Sequence, residues 1–362
     1  MNKILYFAVS FVLLFSICIN TYSLENTDEI WNNLNTETKE YLEELGIDEI
    51  SFDELFELSP TRVIKFIFNI AINKTHSLKD SFIIIFIILI LSSIAASFTK
   101  KSDKYEKIID YICNLIIMSF IMVPIGRLMT DAATVIKNTT VFINIYLPVM
   151  TGIIVASKSP ALAITYNSFT IFFSNIIAII SDKFFTPLIS IIFSLNIISS
   201  FTAGDFQNRI SKTIRRLITI FLSLFSTVFT GLLTTQSILA SSSDSLVLKG
   251  IKFVSGTFIP IVGSGVGDAL SSVFSSFLIM KNTLGIFIII VIIIINLPVM
   301  IELLIWYFFF GLCSIISSLL GLNNITDILD SLSSTFSLLN IIVFFITFIL
   351  IISTGIIIVM GK

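Results

Sequence analysis

The sequence predicts an all-α, polytopic integral membrane protein with about seven to nine transmembrane helices. Of its 362 residues, 55% are hydrophobic and only 13% are charged, and the mean hydropathy is +1.00. Soluble domains carry about 25% charged residues, and a water-soluble fold has too little interior to bury so much apolar surface. Runs such as 82–91 and 284–295 are continuously apolar, whereas the strands of a membrane barrel alternate apolar and polar residues. The runs therefore favour helices.

The predicted spans are the apolar runs of about 18 or more residues that carry few charges. They lie at 82–98, 108–128, 139–157, 160–181, 184–204, 217–239, 284–301, 303–320 and 336–360. Because 139–157 and 160–181 nearly abut, and 284–320 could be one long kinked helix with a re-entrant piece, seven spans is the main alternative. The chain then divides into a first membrane bundle of about six spans (81–239), a loop (240–283) and C-terminal spans (284–362).

The N-terminal part of the chain is predicted to lie outside the cytoplasm. Residues 1–23 have the pattern of a signal peptide or an uncleaved anchor, with a basic residue, an apolar run and small residues at 21–23. Residues 24–80 contain 13 Asp or Glu and 5 Lys or Arg, a net charge of −8. Their apolar spacing predicts short amphipathic helices, with Gly46 as a stop and Ser51 with Glu54 as a capping box.

The positive-inside rule supports this orientation, because Lys and Arg concentrate in the short loops that would face the cytoplasm. These residues are Lys100, Lys101, Lys104, Lys107, Lys158, Arg209, Lys212, Arg215 and Arg216. An odd number of spans places the C-terminus in the cytoplasm.

The 240–283 loop has an unusual composition. Its centre is too polar and glycine-rich for a regular span, yet too apolar for a solvated loop. Irregular backbone at membrane depth is tolerated where protein buries it or where it lines a watery cavity. The loop is therefore predicted to be extracytoplasmic or re-entrant, the alternative being a broken amphipathic helix on the outer surface. The residues of this candidate channel motif are Lys252, Phe253, Gly256, Phe258, Ile259, Pro260, Gly263, Gly265, Gly267 and Asp268.

Few residues in the sequence suggest chemistry. Asp110 and Glu302 are the two intramembrane or interfacial ionisable residues to consider. Glu302 would mark a turn in the cytoplasmic headgroups, but it would become a buried carboxylate if 284–310 were one helix. Five asparagines are expected to hydrogen-bond between helices: Asn114, Asn144, Asn167, Asn175 and Asn196.

No catalytic, metal or cofactor site is predicted, because the single histidine, His76, has no nucleophile or second ligand near it in sequence. The glycines of 263–267 lack the strand and the Lys-Ser/Thr of a phosphate-binding loop. No basic face with interleaved aromatic residues predicts nucleic-acid binding. The chain is therefore predicted not to be an enzyme.

The stretch from Lys252 to Asp268 resembles the signature of the stage III sporulation protein AE family. The leader, the acidic outer segment, the many spans and the basic 209–216 stretch before the signature follow the same plan. The sequence departs from the expected signature at Ser264 and Gly267.

The resemblance implies a membrane subunit of the multiprotein channel that links mother cell and forespore in endospore-forming bacteria. It implies a location in the mother-cell-derived outer forespore membrane, with the lipid bilayer and other subunits of the complex as partners. Residues 24–80 would then lie in the intermembrane space. A free-standing secondary transporter for a small solute is the alternative function, although the few central charges argue against ion coupling.

Overall fold

The computed structural model describes residues 30–99, 103–156, 160–199, 205–258 and 263–360. The predicted leader and the basic loop residues Lys100, Lys101 and Lys158 lie outside these ranges. The described backbone is almost wholly helical, and no strand occurs in it. The prediction of an all-α protein is thereby confirmed.

Two short helices precede a bundle of very long ones. They are α1 (Thr36–Leu45), α2 (Phe52–Phe56), α3 (Pro60–Thr99), α4 (Asp103–Ala156), α5 (Pro160–Ile180), α6 (Thr186–Ser199), α7 (Asp205–Phe258), α8 (Gly263–Leu319) and α9 (Asn323–Met360). A π-helical turn, Ser181–Phe185, joins α5 to α6. The 54 residues of α4 extend over about 80 Å at 1.5 Å per residue, which is well over twice the hydrocarbon thickness of a bilayer, about 30 Å.

Local sequence signals explain the short helices of the N-terminal segment, residues 30–58. The Asn35 side chain accepts a hydrogen bond from the Thr38 N–H and caps α1. Gly46 ends α1 with φ of 79°, as predicted, and its N–H donates to Glu43 O. The capping box of α2 forms only in part. Ser51 Oγ accepts from Glu54 N–H, but the Glu54 carboxylate accepts from the N–H groups of the 48–49 turn instead.

The long helices merge segments that the sequence analysis treated as separate. Helix α3 passes through the predicted boundary at 80/81, α4 joins the 108–128 and 139–157 spans, and α8 joins the 284–301 and 303–320 spans. Polar residues interrupt the apolar runs at these places, but no glycine or proline lies between 127 and 139 to end the helix. A helix can continue through a polar residue when the side chain finds a hydrogen-bonding or charged partner, and neighbouring helices provide such partners.

Five helices are long and apolar enough to cross a membrane, counted over the described residues alone. These candidate spans are Pro60–Ala95, Tyr111–Ala156, Arg209–Leu232, Ser275–Leu319 and Asn323–Gly355. The predicted number of seven to nine is therefore not confirmed. The alternative of one long helix through 284–320 agrees with α8.

Both ends of the described chain lie at the same end of the bundle. Trp31 packs against Phe287 with ring centroids 6.0 Å apart. Two residues earlier on α8, a Cβ at Gly285 would stand 2.6 Å from Ile358 Cγ1, so α9 ends close to α8 at this level. This arrangement differs from the predicted one, in which the N-terminal segment and the C-terminus lie on opposite sides of the membrane. The difference follows from the merged spans.

An aromatic cluster forms the core between α3, α8 and α9. The indole of Trp306 is fully buried and stacks on Phe336 and Phe310 at centroid distances of 5.6 and 5.3 Å. Phe82 meets the same indole edge to face at 5.2 Å. Aromatic pairs contribute about 0.5–1.5 kcal/mol beyond the burial of their area, so the cluster ties these three helices together.

Gly46→Ala should detach the N-terminal segment from the bundle. The left-handed conformation of Gly46 costs an L-residue about 1–2 kcal/mol, and a Cβ there would stand 2.1 Å from Arg62 Nη1. Limited proteolysis of the purified protein should cut the segment faster in this variant. Gly321→Ala is the matched control, since Gly321 has φ of 76° and open space around it. Equal resistance of Gly46→Ala and the wild type would contradict the expectation.

Candidate functional site: a buried ion cluster between three helices

A buried carboxylate lies in the middle of α8. The Glu302 side chain is 1% exposed. Its Oε2 lies 2.9 Å from Lys74 Nζ of α3, and its Oε1 accepts a hydrogen bond from Arg127 Nη2 of α4. Two cations from two helices therefore compensate one buried anion. Such an anion is tolerated away from water only when it is paired and hydrogen-bonded.

Asp131 completes the group, which we call the Glu302 cluster: Lys74, Arg127, Asp131 and Glu302. Arg127 Nε lies 3.7 Å from Asp131 Oδ2, one turn along α4. Two positive and two negative side chains thus meet, and the cluster is formally neutral. Lys74 and Arg127 remain partly exposed, so the cluster extends from the interior of the bundle to its surface.

The predicted role of Glu302 as a marker of a cytoplasmic turn is wrong. The residue lies inside α8 and pairs with Arg127 of α4. The alternative, that one continuous helix would make Glu302 a buried carboxylate, is correct. The backbone of Asp110, the other ionisable candidate, lies in α4, and its side chain is outside the described part of the chain.

A cavity of about 230 Å³ adjoins the Glu302 cluster where the N-terminal segment meets the bundle. Polar side chains from the segment and from α4 line two walls, and apolar residues of α8 form the third. The lining residues are Asn35, Glu37, Thr38, Tyr41, Lys74, Asp131, Thr134, Val135, Asn138, Ile294, Ile295, Pro298 and Val299. The cluster is therefore reached from the side that the acidic segment covers.

The N-terminal segment is held on the bundle by apolar and polar contacts. Tyr41 packs edge to face on Phe66 at 5.6 Å. Arg62 Nη1 donates to Leu45 O at 3.0 Å, and Asn69 Nδ2 donates to Glu44 Oε1 at 3.1 Å. Ile30, Leu34, Leu42 and Leu45 are buried. The segment thus docks by the apolar spacing that predicted its helices.

The acidic surroundings of the segment act on Tyr41. Burial, followed by the nearby Glu37 carboxylate, raises the pKa of its phenol from 10.0 to about 12. The phenol also donates a hydrogen bond to Glu37 Oε1 at 3.2 Å. Both effects disfavour the phenolate, so Tyr41 stays neutral over the physiological range.

A second polar network joins α6, α7 and α9. Arg215 Nη2 donates to Ser331 O at 3.0 Å and to Ser331 Oγ at 2.9 Å. Asn196 Nδ2 donates to Thr335 Oγ1 at 3.1 Å, which confirms the prediction of a bond between helices. Arg215 was assigned to a basic cytoplasmic loop, but it lies within α7 and points toward α9. Arginine is readily mistaken for a loop residue because sequence does not show its partners.

The glycine-rich motif stays a prediction. The backbone of Lys252, Phe253, Gly256 and Phe258 belongs to the end of α7, and that of Gly263, Gly265, Gly267 and Asp268 to the start of α8. Ile259 and Pro260 lie outside the described residues, as do the side chains of the others. Lys74 and Arg127 of the Glu302 cluster are residues that the sequence analysis did not single out. The signal for Arg127 was a charge within an apolar stretch, whereas Lys74 stands among the polar residues 73–77 and gave no such signal.

Comparisons with known proteins agree on one family. The model of the family described as Stage III sporulation protein AE matches residues 36–361. The Stage III sporulation protein AE of Bacillus subtilis (strain 168) is 25% identical over 265 residues, which cover 71% of this chain and 66% of that protein. No solved structure gives a significant match.

Glu302→Gln should destabilise the bundle strongly. Removing the anion takes away the group that ties Lys74 of α3 and Arg127 of α4 to α8, and hydrogen bonds to a charged group contribute about 1.5–3 kcal/mol. The free energy of unfolding in detergent, followed by titration with SDS, measures the loss. Asp131→Asn is the matched control, because its i,i+4 pair with Arg127 is worth under about 1 kcal/mol. Similar losses for both variants would show that Glu302 is not the centre of the cluster.

The Tyr41 phenol should ionise near pH 12 rather than near pH 10. Because its folded-state pKa is raised, its contribution to stability is complete below pH 10 and is lost as the pH rises toward 12. The difference in ultraviolet absorbance between wild type and Tyr41→Phe, recorded against pH, isolates this phenol. Glu37→Gln should lower the midpoint only in part, since burial remains. A midpoint near 10 in the folded protein would contradict the expectation.

Proposed function

The chain belongs to the stage III sporulation protein AE family and has a role in sporulation; on this premise we propose that it is a multi-pass membrane subunit of a transenvelope channel or export complex required for endospore formation. It acts there without catalysing a reaction. Its location is the mother-cell-derived outer forespore membrane, and its N-terminal segment lies in the intermembrane space. The lipid bilayer and other subunits of the complex are its partners.

The observation that carries the proposal is the docked N-terminal segment. The segment is held at one end of the membrane bundle, where α1 packs on α3 and α8. Its exposed carboxylates, among them Glu40, Glu43 and Asp48, face away from the bundle. A rigid acidic surface beside a membrane protein suits contact with other subunits better than it suits capture of a solute.

The alignment with the Bacillus subtilis protein spans 66% of that protein's length, so membership of the channel complex rests on the family and on the docked segment together. Within the described residues, no group of three or more His, Cys, Asp or Glu side chains could hold a metal ion. The charges of the Glu302 cluster are paired with one another, which favours a structural role for them.

A free-standing secondary transporter is the second candidate, and the Glu302 cluster is the observation that favours it. Transporters place ionisable residues within the bundle to couple transport to ions, and Lys74 and Asp131 of the cluster line a cavity. Purified protein in liposomes separates the two functions. Uptake that requires Glu302 and no other protein would establish the transporter and overturn the complex.

Deletion of the gene should leave vegetative growth unchanged and abolish heat-resistant spores, with development arrested after the forespore is engulfed. Growth rate and counts of heat-resistant colonies measure the two effects side by side. Complementation with the wild-type gene should restore the spores. Normal spore counts in the deletion strain would overturn the sporulation complex and leave the transporter as the better reading.

Complementation with a variant that carries Glu40→Gln, Glu43→Gln and Asp48→Asn should restore fewer spores than the wild type. The substitutions remove three of the nine carboxylates of the segment without changing its packing, since all three side chains are exposed. Lys137→Gln, an exposed change on α4, is the control and should restore spores fully. Full rescue by the acidic variant would show that these carboxylates do not contact partners.

A further inference from the structure

The polar network of α6, α7 and α9 lies close to one end of the bundle. Asn196 is near the last residue of α6, and Arg215 and Ser331 lie within about three turns of the first residues of α7 and α9. Ser331 Oγ donates to Asn196 Oδ1 at 2.5 Å and accepts from Arg215 Nη2 at 2.9 Å. The end of one helix and the starts of two others therefore meet at this level.

Arg215 brings a positive charge into the network, and its hydrogen-bond partners are neutral. Its Nη2 donates to Ser331 O and Oγ, and it lies 3.4 Å from Thr335 Oγ1. Its Nε is buried without an acceptor among the described residues. Asp330, which precedes Ser331 in sequence, accepts a hydrogen bond from Ser314 Oγ of α8 instead. The guanidinium is thus held in place, while no described side chain compensates its charge.

Two further basic residues share this face of α7. Lys212 stands three residues before Arg215, Arg216 stands four residues after Lys212, and both are exposed. Residues three and four apart are neighbours on a helix, and like charges at these spacings repel each other. The ion pairs between described residues all belong to the Glu302 cluster. The α7 basic face, defined as Lys212, Arg215 and Arg216, therefore calls for an anion from outside the chain.

An exposed apolar surface follows the α7 basic face along the helix. Leu217, Ile220 and Leu224 are 60%, 46% and 62% exposed. Arg216, Ile220 and Leu224 succeed one another at intervals of four residues, so they form one row on the helix surface. The row runs over about 12 Å at 1.5 Å per residue. A molecule that lies along it meets positive charge at one end and apolar side chains over the next two turns.

The membrane supplies molecules with this distribution of charge and apolar surface. The stretch Arg209–Leu232 is apolar enough to cross a bilayer. Charged side chains are costly in hydrocarbon, so exposed Lys212 and Arg216 lie at the level of the lipid headgroups, where long basic side chains extend toward water. Ile220 and Leu224 then lie at the level of the acyl chains.

We propose that the α7 basic face binds the phosphate group of an anionic phospholipid, with an acyl chain of that lipid along Ile220 and Leu224. Hydrogen bonds from guanidinium and ammonium groups to phosphate are strengthened by charge. The contacts with Ser331 and Thr335 already restrict the Arg215 side chain, so less conformational freedom is lost when the lipid binds. Dissolved phosphate offers the same oxygens but leaves the apolar row uncovered, which favours the lipid. The site goes beyond the proposed function and does not depend on it.

Native mass spectrometry of the full chain, purified in detergent and mixed with lipids of identical acyl chains, tests the site. The wild type should retain phosphatidylglycerol in preference to phosphatidylcholine, whose headgroup has no net charge. Lys212→Gln combined with Arg216→Gln should weaken the retention of phosphatidylglycerol about 25-fold, since each basic residue near an anionic lipid contributes about fivefold. Both side chains are exposed, so the fold should survive, which circular dichroism verifies.

Lys65→Gln combined with Lys137→Gln is the matched control. Both lysines are exposed, on α3 and α4, and the change in net charge is the same. This variant should retain phosphatidylglycerol as the wild type does. Arg215→Gln should weaken the retention about fivefold, and Arg215→Lys, which keeps the charge, should restore part of it.

Two competitors distinguish a lipid from a soluble phosphate. Inorganic phosphate and glycerophosphoglycerol, which is the headgroup without acyl chains, should not displace phosphatidylglycerol when present at the same concentration as the lipid. Displacement by either would show that the apolar row contributes nothing and would overturn the lipid. Equal retention of phosphatidylcholine and phosphatidylglycerol, or equal losses in the Lys212/Arg216 and Lys65/Lys137 variants, would overturn the site.

Discussion

The burial of one carboxylate constrains the rest of the structure. Glu302 is removed from water in the middle of α8 and must find positive partners, because an unpaired buried charge costs several kcal/mol. Lys74 and Arg127 supply them from two other helices. Once these side chains meet, the positions of α3, α4 and α8 along the bundle axis are fixed relative to one another. The positions of the aromatic cluster around Trp306 and of the cavity beneath the N-terminal segment follow from that alignment.

The same pairing explains why the helices are so long. A charge within an apolar run looks like a loop between two spans when no partner is known. Arg127 and Asp131 interrupt such a run on α4, yet each side chain has an opposite charge within reach. The backbone can then continue as a helix past them. The result is a bundle of a few long helices with an apolar part on each side of the Glu302 cluster, instead of a larger number of short spans.

The N-terminal segment distinguishes one end of this bundle from the other. Its acidic surface requires water, and its buried leucines require the apolar side chains of the bundle on which it packs. Arg215, which was counted among the basic loop residues, lies in a hydrogen-bond network with Ser331.

The sequence alone determined the all-helical membrane class, the helices of the N-terminal segment, the Gly46 stop and the family, because hydropathy, caps and a short signature depend on neighbouring residues. Only the tertiary structure decided how the described residues divide into helices, where the two ends of the described chain lie relative to each other, and what Glu302 contacts. A charged residue can mark a turn, carry a solvated side chain or hold helices together through a buried ion pair. Which of these applies depends on the side chains that face it. For Glu302 the partners are 175 residues away on α4 and still further away on α3, and no local pattern records them.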